Sequence, residues 1–172
     1  DLLFCPTATA VELLAAEGLR AGVHLVGDVM VDALRQHADL ARQRSDALAR
    51  LGLRPQGYFL ATVHRPYNTD APETLRSILA AFGDIHRQSG RPVVLPLHPR
   101  TRGRLAELAL APPAGVALID PVGYLDMLAL EQGAALILTD SGGIQKEAYT
   151  FAVPCITLRP ETEWVETVQA GW

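Results

Sequence analysis

Apolar positions along the chain gather in short continuous runs, and polar-apolar stretches with helical spacing separate them. Leu2–Cys5, Val23–Val26, Tyr58–Val63, Val93–Leu97, Val116–Ile119, Leu136–Leu138 and Cys155–Leu158 have the length of strands. Helical patterns cover about 28–51, 72–89, 101–110, 123–132 and 143–151, and a last helix begins near Glu163. Thr9-x-x-Glu12 is a capping-box pattern opening a short helix that Gly18 stops. Strands that are apolar throughout, alternating with helices, predict a parallel sheet covered on both faces. The expected fold is therefore a doubly wound, Rossmann-like α/β domain with right-handed crossovers.

The polar residues sharpen this picture. Ligands of such sheets bind beyond the carboxyl ends of the strands. There the chain places His64-Arg65 with Asn68, His98-Pro99-Arg100, Asp120-Pro121, Thr139-Asp140-Ser141-Gly142-Gly143 and Arg159-Pro160-Glu161-Thr162-Glu163. Taken singly, a histidine or arginine after a strand is usually a surface or capping residue. Five consecutive strands delivering such groups to one edge predict an anion-binding cleft. His24, His37 and His86 fall on a strand and on helix faces and receive no role.

Asp140 through Glu147 carry the most specific local pattern. Two glycines at a helix start let a ligand approach the backbone closely, and the unpaired N–H groups with the helix dipole favour phosphate there. The Ser141 hydroxyl can donate one further bond. Glu147 follows one turn on, about 6 Å along the helix axis, a suitable offset between a diphosphate and its ribose. The plainer reading makes Asp140 or Ser141 an ordinary N-cap and puts Glu147 on a solvated face. Neither G-x-G-x-x-G nor G-x-x-x-x-G-K-[ST] occurs, which disfavours the usual dinucleotide and P-loop nucleotide sites.

Composition narrows the classes further. At 172 residues the chain is about one domain long. Its net charge of −4 offers no electrostatic footprint for nucleic acid or an anionic membrane surface. Cys5 and Cys155 lie in apolar runs without metal-ligand spacing; they read as reduced core thiols of a cytoplasmic protein, with a disulfide as the alternative. No apolar run approaches the ~18 residues of a membrane span. The chain opens directly on a strand at Asp1 and closes on Trp172 within a helical pattern, so it is expected to be part of something longer.

With these residues in view, the chain resembles the non-hydrolysing UDP-N-acetylglucosamine 2-epimerases. The matching segments are Val26-Gly27-Asp28-x-x-x-Asp32-Ala33-Leu34, Thr62-Val63-His64-Arg65-x-x-Asn68 and Leu97-His98-Pro99-Arg100. They continue as Leu118-Ile119-Asp120-Pro121-x-x-Tyr124-Leu125, Leu138-Thr139-Asp140-Ser141-Gly142-Gly143-Ile144-Gln145-x-Glu147-Ala148 and Leu158-Arg159-x-x-Thr162-Glu163. The resemblance implies the C-terminal half of a glycosyltransferase-B-like, two-domain enzyme. That enzyme would interconvert UDP-N-acetylglucosamine and UDP-N-acetylmannosamine, by eliminating UDP and adding it back, for cell-surface polysaccharide synthesis. It further implies that residues 1–22 are the end of an N-terminal domain and 23–172 a UDP-binding domain lacking its closing helix. The proton-transfer residues would lie in the other half, so this chain alone is expected to be inactive.

By position, the resemblance makes Ser141, Gly142 and Gly143 the diphosphate cradle and Glu147 the ribose ligand. The loop from Pro121 to Met127 would receive uracil. His64 would be the catalytic histidine near the departing diphosphate, His98 a second cleft histidine, and Arg65 and Arg159 anion contacts. The family uses neither metal nor cofactor; its partner is the UDP-sugar, and the whole protein commonly forms a homodimer. One departure is Tyr67, which stands where the family has a glutamate linked to allosteric binding of a second substrate molecule. Two other classes remain on the same architecture: a UDP-sugar glycosyltransferase, and a non-catalytic nucleotide-binding remnant.

Overall fold

Strands form where the apolar runs lie, and all of them pair in parallel. The computed structural model describes residues 1–171. It divides into two compact units, Asp1–His37 and the remainder from Ala38 on.

In the first unit, β1 (Leu3–Cys5) and β2 (Val23–Leu25) flank α1 (Ala8–Ala16), with Leu3 beside Val23 and Cys5 beside Leu25. The compact units divide within α2 (Val29–Arg44). The cap of α1 differs from expectation. Thr7 holds it, its hydroxyl accepting from Ala10 N at 3.2 Å, because Thr9 is already helical.

The second unit continues through α3 (Ala47–Arg50), β3 (Phe59–Thr62), α4 (Pro66–Thr69), α5 (Pro72–Ser89), β4 (Val93–Pro96) and α6 (Pro99–Glu107). It ends with β5 (Val116–Ile119), α7 (Tyr124–Gly133), β6 (Leu136–Thr139), α8 (Gly142–Thr150), β7 (Cys155–Thr157) and α9 (Val165–Gln169). The sheet order is β5-β4-β3-β6-β7, a doubly wound arrangement in which the chain leaves β3 toward one edge and returns to build the other from β6. The helix expected over 28–51 is interrupted after Arg44. The Ser45 hydroxyl donates to Asp126 at 2.6 Å and accepts from Ala47 N at 3.2 Å, which replaces the helical ladder there. By contrast α5 spans its expected range, with Pro72 in its first turn and Gly90 closing it at φ +71°.

Strand β3 shows how the sheet is buried. Phe59 and Ala61 face one core, with Leu75, Leu79 and Phe82 of α5; Leu60 faces the other, with Leu130 of α7 and Ala148 of α8. Each large apolar side chain buried this way contributes about 1.5–3 kcal/mol. Tyr58, just before β3, is fully buried, and its hydroxyl donates to the Leu130 carbonyl at 2.5 Å. Both cysteines are free thiols; Cys5 is buried, and burial followed by the charge of Glu131 pushes the half-buried Cys155 up to about 11. No helix among the described residues is long and apolar enough to cross a membrane.

Candidate functional site

The carboxyl ends of β3 and β6 are adjacent at the point where the strand order reverses, the usual place for a ligand in this class of sheet. At that point the hydroxyls of Thr62 and Thr139 hydrogen-bond at 2.5 Å, both residues being buried. The next residue on β6's side, Asp140, has no solvent exposure at all. Its carboxylate accepts from the amides of His64 and Arg65 (each 2.9 Å to one oxygen), from Asn68 Nδ2 at 3.0 Å, and from His64 Nδ1 at 2.9 Å. Burial pushes its pKa up, but the hydrogen bonds from His64, Arg65 and Asn68 more than offset this and leave it below the ordinary carboxylate value. Asp140 is thus an ionised anchor that folds the turn after β3 around itself.

That anchor orients His64. With Nδ1–H donated to Asp140, the Nε2 side of the ring is left for the cleft that His64 lines. Across it stands His98, with ring centroids 5.5 Å apart. His98 is the N-cap of α6, its Nδ1 accepting from Arg100 N at 3.2 Å, so its proton is on Nε2. Pro99 at the first helical position starts α6 two residues earlier than expected. Met127 of α7, Pro121 and Val122 line the same cleft, together with Ser141 and Ile144.

Ser141, rather than Asp140, caps α8. Its Oγ accepts from Ile144 N at 3.4 Å and its own amide donates to Thr139 Oγ1 at 2.9 Å, which leaves the hydroxyl proton able to donate outward. Gly142 and Gly143 open the helix. A Cβ on Gly142 would collide with the Glu163 carboxylate and lie 3.1 Å from Trp164 Nε1. Glu163 pairs with Arg159 at 2.6 Å. Partial burial pushes Glu163 up, but its own backbone amide and the Arg159 guanidinium hold it below the ordinary value. The Glu163 carboxylate thus lies against the amino end of α8. Arg65 Nε and Trp164 Nε1 are buried here without an acceptor among the described residues.

The structure gathers His64, His98, Met127 and Ser141 around one cleft, with Gly142, Gly143 and Arg159 at the helix end beside Ser141. Arg65 contributes its amide to Asp140, and its side chain lies close enough to Glu163 to lower that acid. Glu147 does not occupy a solvated face: it is half-buried and meets the carboxyl of Glu131 on α7. Two residues were missed as functional candidates. Asp140 carries no individual role in the sequence beyond the sheet edge and a possible cap, although a charge directly after an apolar strand and before Ser-Gly-Gly is a signal. Glu131 was passed over, although it is the one acid deep in the apolar face of 123–132.

The family model for UDP-N-acetylglucosamine 2-epimerase matches residues 1–172. A UDP-N-acetylglucosamine 2-epimerase homolog of Methanococcus maripaludis is 46% identical, over 100% of this chain and 48% of that protein. The UDP-2,3-diacetamido-2,3-dideoxy-D-glucuronate 2-epimerase of Pseudomonas aeruginosa is 50% identical, over 99% of this chain and 47% of that protein. Among solved structures, the Methanocaldococcus jannaschii UDP-GlcNAc 2-epimerase in complex with UDP-GlcNAc and UDP superposes with a TM-score of 0.90 at 40% identity. The match covers 98% of this chain and 48% of that one, so the chain spans about half the length of the relatives it matches.

Proposed function

Because the chain belongs to the UDP-N-acetylglucosamine 2-epimerase family, we propose that it supplies the UDP-binding half of an enzyme that inverts C2 of a UDP-linked 2-acetamido sugar. The observation that carries this reading is the pairing of a glycine-opened, serine-capped helix end with an aspartate-anchored histidine at the sheet's switch point. In this reading the diphosphate rests on Ser141 Oγ and the amides of Gly142 and Gly143, with Arg65 and Arg159 nearby. Uracil lies along 121–127 and against Met127, and Glu147 accepts from the ribose hydroxyls.

The reaction needs UDP to leave and return, so its barrier falls when fixed donors meet the charge that gathers on the departing diphosphate. His64, oriented by Asp140, and His98, oriented by its cap, present ring N–H or N groups for that purpose. Moving the C2 proton between faces of the sugar calls for acids and bases that the other half of the enzyme provides. In the same reading the whole enzyme works in the cytoplasm without metal or cofactor, a homodimer being the arrangement common in the family, and residues 1–22 are the end of its other domain.

Calorimetric titration of the chain with UDP tests the cradle. Binding is expected, and Ser141→Ala or Glu147→Ala should weaken it about tenfold, the loss of one good hydrogen bond to a charged group. Unchanged affinity in both variants would refute the assigned roles. A second substrate reading is favoured by the Pseudomonas aeruginosa relative, whose sugar carries a second acetamido group and a carboxylate. Assaying the whole enzyme with each UDP-sugar in deuterated solvent, and following label at C2, separates the two substrates; transfer of the sugar without label would instead mark a glycosyltransferase.

A further inference from the structure

Glu131 lies in the last turn of α7 with no solvent exposure, and neither of its carboxylate oxygens receives a hydrogen bond from a donor among the described residues. An ionised carboxylate in such a setting is strongly disfavoured. Among the described residues, the acid that reaches it is Glu147, from the neighbouring helix α8. Two carboxyls in contact away from water cannot both ionise, and a single proton held between them satisfies both.

The surroundings decide which one keeps it. The other titratable groups facing the pair are Tyr58 before β3, Tyr124 on α7, Cys155 on β7 and Lys146 on α8. Tyr58 is committed to the Leu130 carbonyl, and Lys146 sits over the Trp164 ring at 4.1 Å while still favouring the charged form of adjacent Glu147. Among the described residues no cation faces Glu131, whereas Glu147 is half-buried beside Lys146. Burial, and then the charge of Glu147, push Glu131 well above the ordinary value; Glu147 is raised by burial but drawn back by Glu131 and Lys146.

We propose that Glu131 is a positioning residue for nucleotide recognition: its carboxylic acid donates to Glu147 and holds that side chain as an ionised acceptor for the vicinal hydroxyls of a ribose. This rests on the reading of Glu147 as the ribose ligand. Glu131 never touches the nucleotide; it fixes the rotamer and charge of the group that does. As pH rises and Glu131 loses its proton, the donor disappears and like charges push Glu147 out of place.

The test is calorimetric titration of the whole chain with UDP, from mildly acid to alkaline pH, for the parent and for E131Q, E131M and E147Q. The parent should lose affinity on the alkaline side. E131Q, which keeps a donor and cannot ionise, should bind within about twofold of the parent at neutral pH and lose the alkaline limb. E131M, apolar and of similar volume, should fold but bind about tenfold more weakly. If E147Q weakens binding and E131M does not, the inference falls alone; if E147Q binds like the parent, it falls together with the ribose reading. Infrared spectra give an arm independent of ligand and of E131M folding. The parent should show the carbonyl stretch of a protonated carboxylic acid at neutral pH, absent in E131Q, and a parent without that band overturns the proposal.

Discussion

Asp140 shows how much a single side chain can organise. Four donors from His64, Arg65 and Asn68 converge on one carboxylate, and Asn68 also donates to the Leu158 carbonyl at 2.9 Å, so the turns after β3, β6 and β7 are tied together. An amide keeps its shape but offers one acceptor oxygen, so Asp140→Asn should cost about 2–4 kcal/mol by leaving buried donors unpaired. Urea titrations would show this, and they carry a pH signature. Because the folded-state carboxyl titrates below its unfolded value, its contribution is complete above the ordinary carboxylate range and is lost as pH falls through the lowered value. The variant should lack that part of the acid dependence. The serine cap and glycine opening of α8 at Ser141, Gly142 and Gly143 were legible because a helix start is a local pattern. Asp140 and Glu131 were not, because their partners stand 76 and 16 positions away and only the packing of β3 on β6 and of α7 on α8 brings them together.

At the scale of elements, α8 carries the nucleotide reading and can be tested without touching its cap. Gly142 has no left-handed backbone, so alanine is tolerated there conformationally, but the added methyl meets the Glu163 carboxylate and narrows the helix end. Gly142→Ala should melt within a few degrees of the parent and bind UDP at least about tenfold more weakly, by thermal shift and calorimetry together. Long elements such as α5 were readable from period and end signals, Pro72 and Gly90. The short α4 was not, because its four residues are held from outside. Arg104 donates to the Thr69 and Asp70 carbonyls at 3.2 and 2.8 Å, and Arg100 pairs with the Asp70 side chain at 2.7 Å.

For the molecule as a whole, the doubly wound sheet followed from the order of apolar runs, and its switch point placed the cleft. Among the described residues lining the cleft, none is a carboxylate. Inverting C2 needs a base on each face of the sugar in turn. The chain by itself should therefore bind UDP yet incorporate no solvent deuterium at C2 when incubated with UDP-N-acetylglucosamine, followed by proton NMR. Label appearing at C2 would mean that the cleft's histidines suffice.

The two cysteines fall one to each unit, Cys5 buried in the first and Cys155 on the edge strand of the second. A thiol titrating near 11 is almost wholly protonated at neutral pH, and alkylating reagents attack the thiolate. While β7 stays docked, Cys155 is thus chemically silent, and shielding alone does the same for Cys5. Each becomes reactive when its own surroundings loosen. The chain consequently carries two internal stopwatches, able to tell which unit opens first without any introduced probe.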